Sequence, residues 1–280
     1  MVVDVASAAG IRARLVPVPK SGGIRWLTEL DPRTARDYER CVATLAPGIE
    51  RALASSVLAN RVAVADPVRG ILRLEAWRPA HERFRRALAA GVAAATSVVL
   101  ADVRDCYGSI GPEVCALALR RLGSPRRHVA DLERLLGALR AAGLPGLPAG
   151  PPPSGVLANA ALATADRSLA AGGFAHVRWV DDFVVFATDA RDGERALALL
   201  RFSLADLGLE LAEGKSRLLT DPEAMASTLL QCLPSAQEPT VTLRNDADAL
   251  PSFQGAHPLV PRDGRVDLGG RPARAARRSG

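Results

Sequence analysis

The chain has 280 residues, 48% of them hydrophobic and 24% charged, which predicts a globular protein with a substantial core and excludes a disordered chain. Its net charge of +6 favours a polyanionic partner, although much of the excess is arginine near the C-terminus. The longest apolar run, residues 87–101, is too short to span a bilayer, and the first residues lack the apolar segment of a secretory signal. Four cysteines without paired spacing indicate neither zinc nor disulfides and favour a cytoplasmic protein.

The first third of the sequence predicts a hairpin and then helices. Residues 16–30 are expected to form two short strands around a Ser-Gly-Gly turn. Asp31, followed by proline, is a typical helix cap, and the helix after it is expected to break at Pro47. Another helix is predicted over residues 79–94. Residues 98–103 form a continuous apolar run with one carboxylate, which is typical of a central strand buried on both faces.

The rest of the chain alternates helices with a second hairpin. In order, it predicts helices over 112–123 and 125–143, a Gly/Pro-rich loop over 143–155, a helix to about Ala171, a hairpin over 174–187, a helix over 192–207 and two short strands flanking Gly214. Beyond Pro222 the pattern weakens, and the Pro, Gly and Arg content after Leu250 indicates a poorly ordered tail. This mixture of strands and helices favours an α+β fold.

Three carboxylates stand out in this pattern. Asp102 ends the predicted central strand, where an isolated charge is costly unless a metal or a basic partner compensates it. Asp181 and Asp182 lie side by side within RWVDDFVVF, residues 178–186. They are interpreted either as an ordinary hairpin turn or as a metal site at its tip. A strand with one carboxylate beside a hairpin with two would form one cluster for Mg²⁺, and two such ions support phosphoryl transfer.

Five stretches resemble the ordered motifs of the reverse transcriptases, over about residues 16–220. They are PKSGGIR (19–25) for the fingers hairpin, DVRDCYGSI (102–110) for motif A, GLPAGPPPS (146–154) with VLAN (156–159) for motif B, WVDD (179–182) for motif C and LGLELAEGK (207–215) for motif D. Within that family the chain is most similar to the bacterial group related to retrons, group II intron enzymes and abortive-infection proteins.

This resemblance implies roles for particular residues in catalysis. Asp102 and Asp181 are the implied metal ligands, with Asp182 a weaker or indirect participant and the carbonyl of Val103 also facing the metal. The implied cofactor is a pair of Mg²⁺ ions, with Mn²⁺ as the alternative. Lys215, at the motif D position, is implied to protonate the leaving pyrophosphate as a general acid.

The resemblance also implies a set of substrate-binding residues, namely Lys20, Arg25, Val103, Asp105, Cys106, Tyr107 and Gly150. Lys20 and Arg25 are implied to grip the triphosphate of the incoming nucleotide. The Tyr107 ring is implied to crowd the sugar 2′ carbon, which predicts a preference for deoxynucleotides. Five of the implied site residues also have a structural interpretation: a solvated turn for Lys20, an ordinary surface strand for Arg25, core packing for Tyr107, a capped turn for Asp105 and a surface position for Lys215.

The implied architecture is that of right-hand polymerase fingers and palm. Fingers are expected at residues 1–95, with 111–146 also fingers-like, and the palm at 96–110 and 147–222. Residues 223–280 are expected to form a short extension with a basic, disordered tail, and the thumb to be reduced or absent. A structural RNA or a protein partner would then replace the thumb surface.

The expected function is RNA-templated DNA synthesis from dNTPs onto a primer 3′-hydroxyl, in phage defence or a retroelement. Ala149 stands where the family usually has Gln, and three prolines follow, which puts template positioning in doubt. The alternatives are an untemplated or protein-primed DNA polymerase, or a catalytically silent module that binds RNA. The expected partners are therefore an RNA template, a DNA primer and dNTPs, with no membrane.

Overall fold

A computed structural model describes residues 3–6, 10–20 and 23–231 of the chain. The strands are β1 (Val3–Ala6), β2 (Arg12–Lys20), β3 (Gly23–Leu30), β4 (Val62–Asp66), β5 (Ile71–Leu74), β6 (Ser97–Asp102), β7 (Ala175–Trp179), β8 (Asp182–Ala187) and β9 (Arg217–Leu219). The helices are α1 (Pro32–Ala52), α2 (Trp77–Ala94), α3 (Cys106–Ser109), α4 (Pro112–Arg121), α5 (Arg126–Ala141), α6 (Pro152–Ala171), α7 (Ala190–Ala205) and α8 (Pro222–Gln231).

The centre of the fold is an antiparallel sheet in the order β7-β8-β6-β9. Every residue of β6 is buried, as the apolar run predicts for a central strand. Successive side chains of a strand point to opposite faces, and both faces of this sheet are covered. Val99 and Ala101 join the core that contains α6 and α7, whereas Val98 and Leu100 join a smaller core with α2 and α8.

Two smaller β units precede the central sheet. Strands β1, β2 and β3 form an antiparallel sheet, and β4 and β5 form a separate hairpin. The predicted helix cap is confirmed, since the Asp31 side chain accepts hydrogen bonds from the N–H groups of Arg33 and Thr34. Together these elements confirm the predicted α+β fold of fingers and palm.

The expected break at Pro47 is wrong, because α1 continues through this proline. Leu45, Ala46 and Ile49, on either side of it, are buried in the main core. Burying a large aliphatic side chain contributes about 1.5–3 kcal/mol, so Leu45 and Ile49 together offset the roughly 3 kcal/mol cost of a proline inside a helix. Packing of this apolar face therefore decides the course of the helix.

Three further expectations are corrected. Of the two strands expected around Gly214, only Arg217–Leu219 forms, because the N–H groups of Lys215 and Ser216 both donate to the carbonyl of Ala212 and close a turn. The prolines of motif B are not all loop: α6 begins at Pro152, in a first turn whose N–H groups need no helical partner. Strands β4 and β5 and the short strand β1 were not anticipated.

The expectations for the chain beyond residue 231, including the thumb and the basic tail, lie outside the described residues. Within the described ranges, none of the helices has both the length and the apolar character needed to cross a membrane.

Candidate active site

The hairpin of β7 and β8 brings two acidic residues to the end of β6. Trp179 pairs with Asp182 across the hairpin, which leaves Val180 and Asp181 as its two-residue turn. Asp102, the last residue of β6, pairs in register with Asp182. The backbone N–H of Val103 donates to the carbonyl of Asp181 at 3.3 Å, so the end of β6 is bonded directly to the turn.

A cleft of about 560 Å³ opens over this end of the sheet. The residues that line it include most of the predicted site: Arg25, Asp102, Val103, Asp105, Cys106, Tyr107, Gly150, Asp181 and Lys215. The predicted positions from motifs A, B, C and D and from the fingers hairpin are therefore brought together in one cavity, although they are spread along most of the described chain.

The carboxylate of Asp181 is destabilised by its surroundings. Burial, followed by the charge of Asp102, raises the pKa of Asp181 to about 6, while the cations Arg25 and Lys215 act in the opposite direction. A bound cation would favour the charged form of Asp181, which burial and the neighbouring carboxylate disfavour. This observation fits a metal bound by Asp102 and Asp181.

The third carboxylate does not share this position. Asp182 is only 4% exposed and does not line the cleft. Within the described part of the chain, no group of three or more His, Cys, Asp or Glu side chains is placed to hold a metal ion. Two of the three expected carboxylates, Asp102 and Asp181, therefore line the cleft, while Asp182 is buried beside them at the first position of β8.

Lys215 lies in a turn that is anchored to Asp102. Its ammonium donates a hydrogen bond to Asp102 Oδ2 at 2.9 Å, with the lysine side chain 43% exposed and the aspartate side chain 7%. At the start of the turn, the N–H of Ala212 donates to the backbone carbonyl of Asp102 at 2.8 Å. These bonds place the lysine of motif D beside the aspartate of motif A.

Motif A continues from β6 into the short helix α3. Asp105 is exposed, has a φ of 41° and occupies the N-cap position of this helix. Its side chain makes no capping hydrogen bond. Cys106 is buried, and burial raises its pKa well above the usual range, which makes its thiol a neutral packing group. The Tyr107 ring is part of the cleft wall, and burial, together with the charge of Asp181, raises the pKa of its hydroxyl, which stays protonated.

The loop of motif B closes one side of the cleft. Gly150 lines the cavity and has a φ of 130°, a backbone conformation that residues other than glycine rarely adopt. Gly146 packs so closely on the backbone carbonyls of Tyr107 and Gly108 that an added Cβ would collide with them. The loop also accepts a hydrogen bond at the carbonyl of Ala149 from the N–H of Thr28 at 2.6 Å, which ties it to the fingers hairpin.

Basic residues of the fingers face the carboxylates across the cleft. Arg25, half-buried on β3, lowers the pKa of Asp181, so its charge acts on that carboxylate. Arg73, on the unanticipated strand β5, also lines the cavity. Lys20 is the last residue of β2 and pairs with Gly23, but its side chain lies outside the described residues.

Two residues of the site were missed by sequence reasoning. Arg73 is one arginine among many in this chain and carries no distinguishing signal. Asn60 lines the cleft, has a φ of 54° and hydrogen-bonds the side chain of Tyr107. The left-handed conformation, which Asn tolerates better than most residues, places its side chain there, and no sequence pattern indicated it.

Trp179, the aromatic residue of motif C, does not line the cleft. It is 4% exposed and lies in the smaller core against Trp77, His81 and Phe84. Its role at this position of motif C is therefore packing of the hairpin on α2.

An antiparallel palm sheet with a pair of carboxylates at its hairpin, faced by basic fingers strands, defines a protein of the polymerase fingers-and-palm class. The chain belongs to the reverse transcriptase family, since the family model for reverse transcriptase (RNA-dependent DNA polymerase) matches residues 49–243, more than half of its length. The match includes motifs A to D but not the hairpin that carries Lys20 and Arg25.

Comparison with individual proteins adds little to this assignment. No curated protein matches the chain. Among solved structures, telomerase from Candida albicans in complex with the TWJ fragment of telomeric RNA is similar at 12% identity and a TM-score of 0.43. The similarity covers 73% of this chain and 41% of that chain, so this chain spans less than half of the telomerase chain.

Proposed function

We propose that this protein is an RNA-directed DNA polymerase that transfers a nucleotidyl group from a dNTP to a primer 3′-hydroxyl. The observation that carries the proposal is the pair Asp102 and Asp181 in one cleft, with Lys215 bonded to the first and Arg25 facing the second. Membership of the reverse transcriptase family supports it.

Asp102 and Asp181 are the residues that would hold Mg²⁺, or Mn²⁺ in its place, with the carbonyl of Val103 at the same end of β6. Their oxygens are the hard ligands these ions prefer. When bound, the ions supply activation of the attacking hydroxyl and stabilisation of the leaving oxygen. Asp182 acts indirectly, by pairing with Asp102 in register and fixing the strand ends.

The chain's own side chains bind and orient the nucleotide. The guanidinium groups of Arg25 and Arg73 offer forked donors that suit the oxygens of a triphosphate, and Lys20 is proposed to contribute a further cation. The ring of Tyr107, fixed by Asn60, limits the space beside the sugar and thereby disfavours a 2′-hydroxyl. Lys215 is placed to give a proton to the departing pyrophosphate.

The same proposal extends to partners and setting. The partners are an RNA template, a DNA primer and dNTPs; the fingers are residues 1–95 with 111–146, and the palm is 96–110 with 147–222. The setting is cytoplasmic phage defence or a retroelement, which the similarity of motifs A to D to the bacterial branch supports. Cys41, Cys106 and Cys115 are free thiols, in keeping with a reducing compartment.

Primer extension tests the proposal. Purified protein, an RNA template, an annealed DNA primer, Mg²⁺ and labelled dNTPs should give extended primer, and Asp181→Ala should abolish extension while leaving the circular dichroism spectrum unchanged. Absence of extension with both Mg²⁺ and Mn²⁺ over a range of template sequences would overturn the proposal. Incorporation that persists in Asp181→Ala would overturn the assignment of the site.

One observation favours a second candidate, untemplated or protein-primed DNA synthesis. The template-facing loop has Ala149 in place of the amide that the family usually carries, and its carbonyl is already bonded to Thr28. A side chain that can hydrogen-bond the template is thus missing at this position. Products of the same length and composition with and without RNA template would favour this candidate over the first.

A further inference from the structure

Directly beside the catalytic turn lies an arginine that is completely buried. Arg178 is 0% exposed, although a buried guanidinium is costly unless every part of it is paired. Asp166 of α6 pairs with it on two sides: Arg178 Nε donates to Asp166 Oδ1 at 2.9 Å, and Nη2 donates to Asp166 Oδ2 at 2.6 Å. Burial alone would raise the pKa of Asp166, but Arg178 and His176 lower it, so the carboxylate stays charged.

The remaining nitrogen of Arg178 reaches the turn itself. Nη1 donates to the carbonyl of Val180 at 2.7 Å and to Asn159 Oδ1 at 2.9 Å. Val180 has a φ of 57°, a conformation that is unfavourable for a β-branched residue and persists only when its surroundings enforce it. The next residue is Asp181, so the strained peptide leads directly into the carboxylate of the cleft.

The arginine is itself held in place from several elements. Asn159 of α6 donates to the carbonyls of Ala59 and Asn60, and the backbone of Arg178 bonds to Ser56 and Leu58. The network therefore joins α6, the 56–60 segment and the hairpin behind the cleft. The side chains of Arg178, Asp166 and Asn159 do not line the cleft, so the network acts from behind the site.

We propose that Arg178 is a positioning residue that holds the strained turn at Val180 and thereby fixes the Asp181 carboxylate for metal binding. The inference rests on the proposed function only in assigning Asp181 as a metal ligand. Loss of a group that orients a metal ligand typically lowers metal affinity or activity by about 10–100-fold. A residue that served stability alone would change the melting temperature without this loss.

The test measures Mn²⁺ binding by electron paramagnetic resonance, without nucleic acid or nucleotide. Arg178→Lys keeps a cation beside Asp166 but cannot reach Asp166 and Val180 together. We expect it to fold, to bind Mn²⁺ about 10–100-fold more weakly and to lower kcat with little change in the KM for dNTP. The matched control is Arg61→Lys, which alters a half-buried pair with Glu50 in the neighbouring segment and should bind Mn²⁺ like the wild type.

A double-mutant cycle tests the route through the turn. Val180→Gly permits the positive φ without strain, so Arg178→Lys should cost much less Mn²⁺ affinity in that background than in the wild type. Equal losses in both backgrounds, or wild-type Mn²⁺ binding by Arg178→Lys, would overturn the inference. If Arg178→Lys fails to fold, Asn159→Ala supplies the test. This variant keeps the pair of Arg178 with Asp166 but removes Asn159 Oδ1, one of the two acceptors that hold Arg178 Nη1 at the turn. We expect it to bind Mn²⁺ more weakly, and wild-type Mn²⁺ binding would overturn the inference.

These measurements separate the two proposals. Wild-type protein that binds Mn²⁺ but extends no primer would overturn the proposed function, while weaker Mn²⁺ binding by Arg178→Lys would still support the positioning role. Wild-type protein that extends primers, with Arg178→Lys unchanged in Mn²⁺ binding and kcat, would overturn the positioning role alone.

Discussion

The ammonium of Lys215 donates a hydrogen bond to Asp102 Oδ2 at 2.9 Å, which joins the general acid proposed for the leaving group to a ligand proposed for the metal. Without a metal, the lysine supplies the positive charge that the buried aspartate needs. A metal bound by the aspartate, as proposed, would take over this charge compensation and leave the ammonium available to the leaving pyrophosphate. The 43% exposure of the lysine side chain leaves room for this movement.

Replacement of Lys215 should therefore separate catalysis from metal binding. For Lys215→Met we expect kcat to fall by about 10²–10⁴-fold, the usual contribution of general acid catalysis, as measured by single-nucleotide incorporation under saturating conditions. Because the ammonium competes for Asp102, Mn²⁺ affinity should be unchanged or higher. Lys215→Arg, which keeps the charge, is the control. Full activity in Lys215→Met would refute the general-acid role.

Removal of the Asp181 charge should stabilise the metal-free protein at neutral pH. The folded-state pKa of Asp181, about 6, lies above its value in an unfolded chain. The contribution of this proton-binding group to the free energy of unfolding is therefore fully present below about pH 4 and is lost as the pH rises through 6. We expect Asp181→Asn to raise the free energy of unfolding by about 1–3 kcal/mol near pH 7.5 in EDTA, with no gain near pH 4.

Urea denaturation at the two pH values measures this effect, and Asp105→Asn, which changes an exposed carboxylate of the same cleft, is the control. An Asp181→Asn protein less stable than the wild type at both pH values would contradict the assignment of electrostatic strain to this pair.

Loss of Arg25 should weaken nucleotide binding and shift the pH dependence. A hydrogen bond to a charged group contributes about 1.5–3 kcal/mol, so Arg25→Ala is expected to raise the KM for dNTP by about 10–100-fold. Since Arg25 lowers the pKa of Asp181, its removal should also move the acid limb of the rate–pH profile to higher pH. Arg25→Lys should return the acid limb of the rate–pH profile close to its wild-type position but should leave the KM for dNTP raised. Lysine keeps the positive charge but lacks the forked donors of the guanidinium. An unchanged KM would place the triphosphate elsewhere.

The ring of Tyr107 should control the choice of sugar. Tyr107→Ala is expected to increase use of ribonucleotides relative to deoxynucleotides by at least about 10-fold, because the ring no longer excludes the 2′-hydroxyl. A tenfold change corresponds to a loss of about 1.4 kcal/mol in the free-energy difference between the two nucleotides. Tyr107→Phe keeps the ring and should keep the preference, apart from a small effect of losing the bond to Asn60. Competition between the two nucleotides in primer extension is the measurement. Identical selectivity in the Ala variant would leave core packing as the role of this ring.

Much of this arrangement could be predicted from the sequence where local chemistry is strong. The apolar flanks of residues 178–186 predict the hairpin, and the cap at Asp31 predicts the start of α1. The expectation that Asp102 meets the hairpin is confirmed by the register of β6 with β8. In each case the pattern within a few residues already determines the structure.

The remainder depends on contacts between distant segments. The course of α1 through Pro47 depends on burial of the surrounding apolar face, and β4 and β5 are short, with an irregular pairing between Val62 and Val64. The buried pairing of Arg178 could not be predicted from the hairpin pattern, because it depends on Asp166, twelve residues earlier in the chain. The number of carboxylates that line the cleft likewise depends on the burial of Asp182.

The central claim, RNA-templated DNA synthesis at Asp102 and Asp181, is tested most directly by omission of single nucleotides on a defined heteropolymeric RNA template. The account predicts that the wild type extends an annealed DNA primer and stops at the first template base that requires the omitted dNTP, and that Asp181→Ala gives no extension. Extension past that base, or the same products without template, would contradict it.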